Sequence, residues 1–104
     1  MSKRNKGYDN DRFKKKIFFK TIKELENFDT IEFKYGKEFY ELKCFTDEYG
    51  DGEISKSYSI GKLGEMLGER MNLSKITDKY LTFYTFDLFN QKSTFKMLVD
   101  KIEI

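Results

Sequence analysis

The sequence predicts a small α+β domain, an antiparallel sheet of four to five strands with two helices on one face, in helix-hairpin-helix-hairpin order. Three observations carry that reading. At 104 residues the chain has the length of one domain. Residues 30–35 and 38–45 alternate apolar and polar side chains around Gly36-Lys37, the period-two pattern of a hairpin. Segments within 13–28 and 60–71 instead repeat apolar residues at helical spacing.

The elements follow in chain order. Residues 1–12 hold one aromatic and no aliphatic beyond Met1, too little apolar surface to offset the entropy of ordering, so they predict a disordered or peripheral basic tail. The single domain then covers 13–104. Ile17, Phe18, Ile22, Leu25 and Phe28 lie on one helical stripe. Thr21 followed by Glu24 offers an alternative start, a capping box behind a short strand at 16–20. Ile31, Phe33 and Tyr35 face one way in the first hairpin strand; Tyr40, Leu42 and Cys44 do so in the second.

Residues 47–52, Asp-Glu-Tyr-Gly-Asp-Gly, have turn chemistry, and 54–59 predicts a short third strand. Ser59 makes a good cap for a second helix with Ile60, Leu63, Leu67 and Met71 on one stripe. Gly61, Gly64 and Gly68 each cost that helix about 1 kcal/mol relative to Ala, which leaves a loop as the competing reading. Residues 79–89 are apolar on both faces and read as a central strand. Residues 90–93 turn the chain. Phe95, Met97 and Val99 alternate as a strand would, although Phe95, Leu98, Val99 and Ile102 also fit a helix; a strand paired with 79–89 is preferred. A helix before two strands in each half also fits a diverged duplication.

The residue types that are missing bear on function. The chain has no His, Pro, Trp or Ala and a single Cys, Cys44. Absent imidazole removes the usual proton shuttle, the commonest metal ligand and every histidine-activated nucleophile. Cys44 sits on the apolar side of a strand, the place of an inert core thiol. Carboxylate neighbours such as Glu24/Glu26 and Asp51/Glu53 lie in polar segments, where neither member has the apolar setting that acid–base work requires. Asp87, between Phe86 and Leu88, is the one exception; its bland reading is the end of a strand. The sequence argues against an enzyme, and against any catalytic residue, metal or cofactor.

Residues 47–55 resemble an EF-hand calcium loop at Asp47, Asp51, Gly52, Ile54 and Ser55. Tyr49 and Tyr58 stand where oxygen ligands belong, and the preceding segment alternates like a strand, so a hairpin turn accounts for the same residues.

Two features point toward binding. The first is charge: residues 1–16 carry about +5 and the remainder about −3, within a net charge of +2. Lys3, Arg4, Lys6, Arg12, Lys14, Lys15, Lys16 and Lys20 interleave with aromatics, a pattern suited to phosphates and bases. The second is an aromatic excess of eleven Phe and seven Tyr, more than so small a core needs. Tyr8, Phe19, Tyr35, Phe39, Tyr49, Tyr58 and Tyr84 are the candidates for a partner surface.

Mean hydropathy is −0.71, no run approaches a membrane span, and Ile17-Phe18-Phe19 is too short for a signal peptide. With a lone Cys, the expected location is the cytoplasm, with no membrane partner. The Lys-rich, Ala- and Pro-free composition resembles that of small orphan proteins of bacteriophages and other mobile elements in low-GC bacteria. Aromatic excess, absent catalytic chemistry, small size and that compositional style together suggest, by elimination, a non-catalytic protein that docks on and inhibits a larger protein or ribonucleoprotein complex of the host, as anti-defence (anti-CRISPR-like) inhibitors do. A small nucleic-acid-binding accessory protein using the basic N-terminus is the alternative, and a homo-oligomeric structural component the third.

Overall fold

The computed structural model describes the backbone of residues 2–104 and the side chains of 12–74 and 76–104. One long helix, α1 (Ser2–Glu24), precedes seven strands: β1 (Thr30–Tyr35), β2 (Glu38–Glu48), β3 (Ile54–Lys62), β4 (Asn72–Ile76), β5 (Tyr80–Phe86), β6 (Lys92–Leu98) and β7 (Ile102–Glu103). A 3-10 turn, Val99–Lys101, links the last two. The strands form a four-stranded sheet in the order β3-β2-β1-β7 and a three-stranded sheet in the order β4-β5-β6. All named strand pairs are antiparallel.

The sheets are not independent. Tyr58 of β3 and Met71, just before β4, exchange backbone hydrogen bonds of 2.7 and 2.8 Å. After β6 the chain turns through Val99–Lys101 and returns to pair with β1. The meander therefore curls back toward its start, with one core inside. Phe18 and Ile22 from α1, with Leu25 just past its end, meet Phe33, Leu42, Cys44, Tyr58 and Ile60 from the first sheet and Leu81, Phe83 and Met97 from the second. Rings of Phe18 and Phe33 lie 5.4 Å apart, and those of Tyr58 and Phe83, one from each sheet, 5.9 Å apart.

The first hairpin forms as its alternation predicts, with Phe33 opposite Tyr40 and Ile31 opposite Leu42. Its turn needs Gly36, whose φ of 63° is in the left-handed region. The last segment is a strand paired with β5, as preferred from sequence. The residues at 16–20 are helix, not strand, and Thr21 caps nothing: its hydroxyl donates to the carbonyl of Ile17, 2.9 Å away, within α1.

The helix reaches Ser2 at one end, through the residues read as a peripheral tail, and stops at Glu24 rather than 28. Phe28 adopts φ 70° in the connection to β1, outside the helix stripe. The stop is built by a lysine from another element. Lys56 of β3 donates to the carbonyls of Leu25 at 2.8 Å and Lys23 at 3.4 Å, placing a cation at the helix C-terminus.

The second helix expected at 60–71 is absent, and with it the two-helix layer and the duplication. Ile60 closes the buried row of β3, and the chain then folds back over that strand. Gly61 is why it can: a Cβ there would lie 2.9 Å from the carbonyl oxygen of Met66 and 3.2 Å from the Cα of Leu67. Gly64 turns the return with φ 86°. The helical spacing of Ile60, Leu63 and Leu67 is thus a coincidence of strand end and loop, in a segment whose glycines disfavour a helix. The apolar face of the first sheet still needs a cover. The second sheet and α1 supply it.

Candidate functional site

The hairpin joining β5 to β6 ends in Asp87-Leu88-Phe89-Asn90-Gln91. The apex is held by one carboxylate. Asp87 Oδ1 accepts from the backbone N–H of Phe89 and of Gln91, each at 2.8 Å. The Asp87 N–H donates to the Gln91 carbonyl and the Asn90 N–H to the Asp87 carbonyl, both at 3.0 Å. Asn90 sits at φ 61°, a conformation Asn tolerates better than most residues. Asp87 is therefore the turn-organising residue at a strand end.

That scaffold presents apolar side chains to solvent. Leu88 is 101% exposed, Phe89 85% and Phe86 50%. Single exposed apolar residues are ordinary; three adjacent ones on a hydrogen-bonded apex are not explained by the core. Sequence periodicity does not single them out, because the apolar run 79–89 reads as one strand. Asp87 and Asn90 carried the signal that the strand stops at Phe86, since both favour turns.

The expected partner aromatics are not gathered in one place. Tyr58 is a correction: at 3% exposure it belongs to the core, with its hydroxyl 3.3 Å from the Ile22 carbonyl. Burial, with the neighbouring Cys44 adding to it, pushes its phenol up to about 12. Burial also raises the Cys44 thiol, against the lowering effect of Lys56. The Cys44 Sγ donates to the Leu25 carbonyl at 3.4 Å. Tyr35 is half-buried and accepts a 3.0 Å hydrogen bond from the Leu98 N–H through its hydroxyl. Phe19 is half-buried against Phe18. Phe39, near the start of β2, and Tyr49, just past its end, are exposed, and Tyr84 is half-buried on β5. The side chain of Tyr8 lies outside the described residues.

The basic set is partly assembled. Arg12, Lys15, Lys16 and Phe19 line a cleft of about 540 Å³ with Thr77, Asp78, Val99 and Asp100. Alongside runs a groove lined by Phe13, Lys16, Ile17, Phe19, Lys20, Lys23 and Ile76. Lys15 pairs with the exposed Asp100 at 3.7 Å. Lys14 lies on the far side of that pair, with Asp100 and Glu103. The side chains of Lys3, Arg4 and Lys6 lie outside the described residues.

The loop read against a calcium site is a hairpin turn. Asp47 is within β2 and faces Arg70 at 3.4 Å, while Asp51 Oδ1 accepts from the Glu53 N–H at 3.1 Å. Among the described residues, the buried titratable groups are Cys44 and Tyr58, and no helix is long and apolar enough to cross a membrane. No family model, curated protein or solved structure matches the chain.

Proposed function

We propose that the chain works by contact, without catalysis, docking on a larger protein or ribonucleoprotein complex of a host cell and inhibiting it, in the manner of an anti-defence protein. The observation that supports this reading is the β5–β6 apex, where Asp87 holds Leu88 and Phe89 in the open. An ordered apex loses little conformational freedom on binding, and fully exposed apolar anchors gain the most from desolvation. The absence of imidazole and the burial of Cys44 and Tyr58 leave no reactive group at that surface.

The test is functional. Expressed in cells that carry a nuclease-based defence system, the chain restores plaques of a targeted phage. A Leu88→Asp/Phe89→Asp variant accumulates equally and does not. Failure of the parent chain to protect phage against any defence class tried would remove the inhibitory reading. Self-association on size exclusion that the variant abolishes would assign the apex to a second copy of the chain.

A second reading is favoured by the groove along α1, where lysines flank Phe13 and Phe19. There the chain is a nucleic-acid-binding accessory protein. Its affinity would be phosphate-dominated, since Lys outnumbers Arg seventeen to three and bidentate base reading is scarce. Retention on single- or double-stranded DNA should then fall steeply with salt and vanish in a Lys16→Glu/Lys20→Glu/Lys23→Glu variant. Retention unchanged in that variant refutes it.

A further inference from the structure

The outward face of the second sheet runs directly off the apex. Residues opposite each other in an antiparallel pair share a face, so Phe86 and Lys92, Tyr84 and Thr94, Thr82 and Lys96, and Tyr80 and Leu98 form one continuous surface. Phe86 packs its ring edge-on against Tyr84 at 5.7 Å. The Lys92 ammonium stands 4.8 Å from the centre of the Tyr84 ring, and that of Lys96 stands 5.3 Å from the Tyr80 ring. Strands β4, β5 and β6 contain Lys75, Lys92 and Lys96 and no Asp or Glu. The one carboxylate at the apex, Asp87, is engaged by two backbone N–H groups.

We infer that the partner seated on this surface is a protein presenting an apolar pocket bordered by carboxylates: Leu88 and Phe89 fill the pocket, and Lys92 and Lys96 meet the carboxylates. This rests on the docking reading above and names the partner's chemistry. Charge complementarity supports it, because uncompensated lysines around an apolar anchor favour acidic partners and repel basic ones. A nucleic acid fits less well. Leu88, the most exposed side chain of the apex, offers no ring for a base to stack on, and the Tyr80 and Tyr84 rings each have an ammonium near them that a base would have to displace, which leaves Phe86 and Phe89 as the stacking surfaces that oligo(dT) binding tests.

Panning the purified full chain against a random peptide display library tests the inference. Leu88→Ser/Phe89→Ser and Lys92→Glu/Lys96→Glu variants serve for comparison, with oligo(dT) binding measured alongside. All four side chains are exposed, so both variants should keep the parent's circular dichroism spectrum. Enriched peptides should combine a bulky apolar residue with flanking Asp or Glu and lose roughly tenfold or more in affinity for each variant. Their binding should also weaken as salt rises from about 50 to about 300 mM. Peptides without acidic bias that need only Leu88 and Phe89 would overturn the inference and leave docking standing. No enrichment, or enrichment indifferent to both variants, would overturn both. Oligo(dT) binding abolished by Lys92→Glu/Lys96→Glu would overturn the inference in favour of a nucleic acid.

Discussion

The two sheets share one core and differ on their outer faces. The first carries both signs of charge: Lys34 pairs with Glu103 at 3.6 Å, and Asp47 of β2 pairs with Arg70, from the connection between β3 and β4, which stacks 4.1 Å over Phe45. Glu32, Glu41 and Lys43 complete a mixed surface. The second sheet carries lysine without carboxylate on its strands and ends in an apolar apex. A face of mixed charge favours neither an acidic nor a basic partner. One-signed charge beside an exposed apolar anchor is what an interface has before its partner arrives. On the docking reading proposed above, the first sheet and α1 would provide stability and the second sheet would provide contact.

That division can be broken most forcefully at the shared core. Phe83 is wholly buried and touches Tyr58 across the sheets. Phe83→Ala should cost about 3–5 kcal/mol, a large share of the roughly 5–15 kcal/mol that holds a domain folded, because it removes the seam from both sheets. If thermal denaturation shows the first sheet surviving that change as a separate transition, the sheets are independent and the shared core is wrong.

The first sheet's half of the seam titrates. Tyr58 has an ordinary value near 10 and is raised to about 12 in the fold, so the folded state keeps its proton where the unfolded chain loses it. Stability is therefore full below about pH 10 and falls between pH 10 and 12, by up to about 2–3 kcal/mol. Burial raises the Cys44 thiol in the same direction. Urea midpoints measured across that window should fall for the parent chain, and fall less for Tyr58→Phe.

At the apex the change is smaller and local. Asp87→Ala removes two acceptor contacts and should cost about 1–2 kcal/mol, with faster amide exchange at Phe89 and Gln91 and weaker partner binding. Asp87→Asn keeps the accepting oxygen and should restore most of both. Equal loss in the two variants would mean that the charge, not the turn, matters.

The smallest effect is expected on the first sheet's outer face. Glu32 lies directly opposite Glu41, a like-charged pair. Glu41→Lys should raise stability by about 0.2–1 kcal/mol, read from the denaturation midpoint, and leave partner binding unchanged. A loss of binding would move the interface to this face.

Period-two alternation made the first hairpin legible, since Phe33, Leu42 and Cys44 are all buried where alternation puts them. The burial of Cys44 was legible for the same reason. The region 60–71 was not, because Ile60 ends a strand and Leu67 sits in a return loop, and no local pattern distinguishes that from a helix stripe. What decides it is Gly61, whose missing Cβ admits a backbone 2.9 Å away, a contact between distant residues. Tyr58 was misplaced because a tyrosine flanked by serines looks exposed until its strand is seen to lie under α1. The apex was half-legible: Asp87 and Asn90 were visible as turn residues, yet the apolar run through Leu88 and Phe89 outweighed them. A turn whose apolar residues serve no core breaks local consistency, and such breaks mark candidate functional sites.

Amide hydrogen exchange on the full chain, free and bound to a peptide selected by panning or to a captured partner, tests most directly whether the second sheet makes the contact. Added protection should appear in residues 80–98, strongest at 86–92, with 30–48 unchanged. Added protection over 30–48, or along 12–23 with the apex unaffected, would contradict the assignment.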